Sequence, residues 1–129
     1  MSLELYRQLY GESVRDPEGF WSKVAAELVW YRKWDQTLDS SSHPFYRWFV
    51  GGEINVSENC LDRHVREGRG GKKALIWCGS NGEMRSLSYS DLLEEVRRFS
   101  SSLRALGIGR GDRVTIYMPM VPEAMVSML

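Results

Sequence analysis

The chain is poor in the residues that most often announce a function. Its 129 residues hold two cysteines, two histidines and four prolines. Two cysteines, Cys60 and Cys78, do not make the disulfide framework of a small secreted domain, and no cysteine pair has zinc-ligand spacing. The start, Met1-Ser2-Leu3-Glu4-Leu5-Tyr6, lacks a basic region followed by an apolar core, so no secretory signal is read there. Reduced thiols and a cytoplasmic location are therefore expected, although a processed organelle protein would look the same. No apolar run is long enough to span a bilayer. There is no excess of charge either, with 17 basic and 17 acidic residues. Residues 1–60 hold six basic and nine acidic residues and residues 61–129 hold eleven and eight, a difference too small to define a partner. Nothing here pulls the chain towards nucleic acid or an anionic membrane.

What is present is a hydrophobic fraction of 43%, enough for a core. The sequence predicts two parts: a helical, aromatic segment over residues 1–72, and the start of an α/β domain over residues 73–129. Asp16-Pro17-Glu18 supplies an N-cap, a proline at the first helical position and an acid in the first turn. Phe20, Trp21, Val24, Leu28 and Tyr31 follow at helical spacing. Trp48-Phe49-Val50 reads as a short extended piece closed by Gly51-Gly52. Ser57 is expected to cap a helix through Leu61 and Val65. Ala74 to Cys78 reads as a strand, Asn81-Gly82 as a hairpin turn, and Met84 to Leu87 as the returning strand. Ser88 and Asp91 form a capping box. Leu92, Val96, Phe99, Leu103 and Leu106 then mark one face of a helix that Gly107 ends. Residues 113–118 are nearly all apolar and read as an interior parallel strand. Pro122 opens a further helix.

Nine of the fifteen aromatic residues lie between Phe20 and Phe49. A segment so short cannot bury that many large rings in its own core. Some of them are expected to pack on a larger body.

The motif candidates are weak. Gly107-Ile108-Gly109-Arg110-Gly111 resembles a phosphate-binding glycine loop, but it follows a helix and precedes a strand, the reverse of the required order. A helix cap and turn is the better account. Gly71-Lys72-Lys73 lacks the Ser or Thr, the first glycine and the preceding strand of a Walker loop. Cys60, Asp62 and His64 are metal-capable types within one helical turn or so, yet only His43 remains elsewhere to join them, short of a closed ligand set. No nucleophile motif and no paired-carboxylate site is visible. No basic–aromatic stripe suits single-stranded nucleic acid.

Longer strings carry more. Trp48-Phe49-Val50-Gly51-Gly52-Glu53-Ile54-Asn55, then Asn59-Cys60-Leu61-Asp62-Arg63-His64, then the run from Gly111 to Ala124 (GDRVTIYMPMVPEA) resemble, in order, the acetyl- and propionyl-CoA synthetase branch of the AMP-forming acyl-CoA synthetases. Asp16 to Trp21 followed by Trp34, and Ala74 to Trp77 followed by Tyr89 to Leu92, are similar to it as well. The resemblance implies the front of an adenylate-forming fold. It also implies a parent enzyme that uses ATP, magnesium and CoA on a small carboxylate. That family's phosphate loop, ribose-binding aspartate, acyl pocket and catalytic lysine follow the stretch matched here. No catalytic, cofactor-binding or metal-binding residue is therefore expected in this chain. The helical pattern reaching Leu129 has neither a glycine cap nor a polar stop. An N-terminal piece of a ligase, inactive alone and prone to self-association, is thus favoured over a natural short binding or accessory module.

Overall fold

The computed structural model describes residues 2–129, which form two compact units, one ending at Asn55 and one running from Val56 to Leu129.

The first unit begins with helix α1 (Leu3–Arg15), capped where Ser2 Oγ accepts the Leu5 N–H at 3.2 Å. Asp16 ends α1 and caps helix α2 (Pro17–Ala25), its carboxylate accepting the Gly19 N–H at 2.9 Å. The helix predicted to carry residues as far as Tyr31 stops at Ala25 instead, and Tyr31 lies on strand β1 (Trp30–Arg32). Trp30 explains the stop. Its indole donates to the Ala25 carbonyl at 2.7 Å, which also accepts the Leu28 N–H at 3.2 Å, so the last turn of α2 is held by a backbone and a side-chain donor together. The expectation of a mostly helical segment is corrected from there on. Strand β1 pairs antiparallel with β4 (Glu53–Ile54), and β2 (Gln36–Asp39) pairs antiparallel with β3 (Arg47–Val50) in the register Gln36–Val50, Leu38–Trp48.

Three rings make the interior of this unit. Trp30, Trp34 and Phe49 stand with centroids 4.8–5.5 Å apart. Trp34 is buried and donates to the buried Thr37 hydroxyl at 2.9 Å. Phe49 has φ +51° and Gly51 has φ +78°, so the chain turns left-handed on both sides of Val50. Other rings stay outside: Phe45 is 78% exposed and Tyr31 63%. The aromatic load does exceed what this unit encloses.

The second unit opens with a helical run over residues 56–69 that holds a π-helical turn, Glu58–Asp62, and a kink at Gly68 within Val65–Arg69. Ser57 does not cap it. Its own backbone is helical, and its side chain makes no capping bond. Strands β5 (Lys73–Cys78) and β6 (Met84–Ser88) form the predicted hairpin, with Gly82 at φ +83°. Helix α3 (Tyr89–Ala105) carries the complete Ser88–Asp91 capping box. Leu61, Leu92, Leu93 and Val96 form the core, and Val65, Ala74, Leu87 and Val126 pack around it. Leu61 and Val65 thus join the chain that follows them. The division into compact units falls after Asn55, and the run over residues 56–69 has its apolar partners on α3.

Residues 113–118 correct the sequence reading most sharply. They join no ladder among the described residues, and Tyr117 is 99% exposed. A strand exists only through bonds to a neighbour. The nearest tie to the hairpin comes after the segment, where Trp77 Nε1 donates to the Met120 carbonyl at 2.6 Å. The described sheets are all antiparallel pairs, so the expected parallel strand is absent from them. The chain still mixes helices and strands, and helix α4 (Pro122–Met128) forms as predicted.

Candidate functional site

Two clefts open in the second unit. The larger, about 480 Å³, lies between β6, α3 and α4 and is lined by Arg85, Phe99, Met118, Glu123 and Val126 among others. Arg85 Nη2 donates to Glu123 Oε1 at 2.9 Å, and that bond holds the Glu123 carboxyl below its ordinary range. Arg98 pairs with Glu94 at 3.0 Å and with Glu95 at 3.7 Å. The charges lining this cleft are therefore matched within it. It offers an apolar groove, and no unpaired cation waits there for a phosphate.

The smaller cleft, about 330 Å³, is lined by Cys60, His64, Leu75, Tyr89, Met125 and their neighbours. It brings together two of the three metal-capable residues and parts them from the third. Cys60 and His64 share the cleft, whereas Asp62 accepts from Arg97 at 2.9 Å. His43 lies in the first unit against Tyr46, with ring centroids 5.7 Å apart. Among the described residues no group of three or more His, Cys, Asp or Glu side chains could hold a metal ion. Both cysteines are free thiols.

His64 sets its ring edge against Tyr89 at a centroid distance of 4.8 Å. Its Nδ1 is buried without a hydrogen-bond partner among the described residues. Burial holds the imidazole below its ordinary pKa, and the positive charges of Arg69 and Arg63 add to this against a smaller opposing effect of Glu67. In the sequence the only hint of this pairing is the four-residue spacing of Cys60 and His64. The contact with Tyr89, twenty-five positions on, depends on the fold.

Both glycine segments spend their backbone groups within the chain. Gly107 (φ +84°) donates to the Arg104 carbonyl at 2.9 Å and Ile108 to the Leu103 carbonyl at 3.0 Å, the paired bonds of a Schellman cap on α3. Gly109 N–H is taken by the Asp112 carboxylate at 2.7 Å. In the Gly70–Lys72 turn the carbonyls face α3, Gly70 accepting from Ser90 N–H and Lys72 from Tyr89 N–H, both at 3.0 Å. The turn thus satisfies the first N–H groups of a helix that an anion would otherwise need.

Comparison with known proteins adds what this geometry lacks. A family model described as acetyl-coenzyme A synthetase N-terminus matches residues 6–60, and one described as AMP-binding enzyme matches residues 61–129. The acetyl-coenzyme A synthetase of Deinococcus radiodurans is 47% identical over 124 residues, covering 96% of this chain and 19% of that protein. That of Rubrobacter xylanophilus is 50% identical over 122 residues, covering 94% of this chain and 19% of that protein. The solved acetoacetyl-CoA synthetase from Streptomyces lividans superposes with a TM-score of 0.81 at 27% identity, over 95% of this chain and 19% of its own. The chain spans about a fifth of the length of the relatives it matches.

Proposed function

The chain belongs to the AMP-binding enzyme family, entered through an acetyl-coenzyme A synthetase N-terminus, and from that premise we propose that it is the N-terminal portion of an AMP-forming short-chain acyl-CoA synthetase. The observation that carries this is the unbroken order of the two family matches from residue 6 to residue 129, at about half identity to acetyl-CoA synthetases.

In the whole enzyme a small carboxylate, acetate or propionate, attacks the α-phosphorus of ATP and expels pyrophosphate. The CoA thiol then attacks the acyl-adenylate carbonyl and expels AMP. ATP, CoA and magnesium belong to that whole enzyme. This portion contributes no catalytic, nucleotide-binding or metal-binding side chain to it. The paired charges of the larger cleft and the glycines spent on capping α3 support that reading. No described helix is long and apolar enough to cross a membrane. Work in the cytoplasm on a small-molecule acid, without nucleic acid, fits the neutral charge balance.

A graft tests the assignment. Residues 1–129 replace the matching front of the Deinococcus radiodurans relative, and pyrophosphate release is followed with acetate and ATP. The graft is expected to turn over, and the chain alone to release nothing. A folded but inactive graft sinks the assignment, and acetate-dependent release by the chain alone sinks the division of labour.

A further inference from the structure

We infer that the seam between the helical run over residues 56–69 and the start of α3 is an acid-sensitive latch, closed while His64 is neutral and opened when it takes a proton. The inference rests on the placement of one side chain and is independent of the reaction proposed above.

The run is the least regular helical piece of the second unit. One π-helical turn, Glu58–Asp62, precedes His64, and after it the run kinks at Gly68, φ +79°. Single π-helical turns interrupt the regular bonding of a helix and are frequent at functional sites. The run is fastened to α3 at both ends: Leu61, 1% exposed, and Val65 enter the core and Asp62 pairs with Arg97, while the turn after the run accepts the Tyr89 and Ser90 N–H groups, and His64 meets Tyr89, the first residue of α3, between these fastenings.

An imidazolium donates from both ring nitrogens and needs acceptors for both. Nδ1 has none among the described residues. The charged groups acting on His64 from its own run are Arg63 and Arg69, of like sign, and Glu67, which is already engaged by Arg69. Cys60 of the same run lines the same cleft. From α3 comes the Tyr89 ring, from β5 Ala74 and Leu75, and from α4 Met125, none of them a carboxylate. A proton on His64 therefore meets burial and net repulsion. His64 as a whole is half-buried in the cleft, so what moving the run away restores is water at Nδ1.

The same surroundings hold the folded imidazole below its ordinary value. The open form then binds the proton more readily than the closed one. Closure is complete above the ordinary imidazole range, about pH 6.5, and is lost as the pH falls from there through the lowered value. One proton limits the change to about tenfold in the opening equilibrium per pH unit.

The experiment follows amide protection over residues 58–69, corrected for intrinsic exchange, from about pH 8 to about pH 5, the range of histidine titration. The His64 imidazole is followed by NMR in parallel, with His43→Gln leaving one ring to observe. Protection should fall severalfold per pH unit as His64 takes its proton, while residues 97–103 of α3 keep theirs. His64→Phe keeps a ring against Tyr89 and cannot charge, so its protection should stay flat, as should that of His64→Gln. Flat protection in the unaltered sequence, or the same fall in a folded His64→Phe, overturns the latch. If both substitutions fail to fold, the parent titration decides: coincident midpoints for the ring and the amides support the latch, and separate midpoints overturn it.

Discussion

The first unit is held by rings that carry hydrogen-bonding handles, and the second by branched aliphatic side chains. Trp30 and Trp34 each meet Phe49 at a steep angle and each spend their N–H on a nearby acceptor, one the Ala25 carbonyl and one the Thr37 hydroxyl. Leu61, Leu92, Leu93 and Val96 have no such bonds to offer and gain only by exclusion from water and close packing. The difference sets what each unit depends on. A ring with a handle fixes direction as well as position, which suits a unit built from strands of four residues or fewer. An aliphatic cluster needs long elements to bring its members together, and α3 supplies seventeen residues for that.

The comparison breaks most visibly at Leu61. Replacing this fully enclosed side chain, Leu61→Ala, should cost about 2–5 kcal/mol of second-unit stability. Urea unfolding read by far-ultraviolet circular dichroism measures it, and indole fluorescence, dominated by the first unit, should move little. A common shift of both signals would show that the units unfold as one. Trp34→Phe probes the other half. It keeps a ring but removes the donor, leaving the buried Thr37 hydroxyl short of a partner, for about 1–3 kcal/mol. A loss as small as that of an exposed substitution would mean that the handle adds nothing to the rings. Gly107→Ala should have the smallest effect, about 1 kcal/mol. A Cβ there meets no atom within 4 Å, so the cost is that of a left-handed backbone alone. A larger loss would reveal a contact at the end of α3 beyond the cap itself.

The elements that could be read from the sequence are those whose determinants are local. The Asp16-Pro17 start, the Asn81-Gly82 turn, the Ser88–Asp91 box and the Gly107 cap each involve residues a few positions apart, and all formed as expected. The failures are non-local. Leu28 and Tyr31 continue the helical spacing of α2, but the Trp30 indole closes that helix and sends the chain into β1. Residues 113–118 have the composition of an interior strand, yet composition cannot supply the neighbour that a ladder requires. The candidate site divides in the same way. The capping role of Gly107 was legible because the glycines follow a helix and precede no helix start. The His64–Tyr89 seam was not, since it depends on how a π-helical run lies against α3.

The two indoles at the heart of the first unit have a further consequence. Trp30 and Trp34 stand 4.8 Å apart with their planes at 63°. Chromophores so close and so far from parallel share their excitation, and a shared excitation in a fixed chiral arrangement rotates polarised light in a paired, opposite-signed band. That band vanishes when either ring turns away. The first unit therefore carries an optical signature of its own folded state, one that needs no dye and that Trp77, the lone indole of the second unit, cannot imitate.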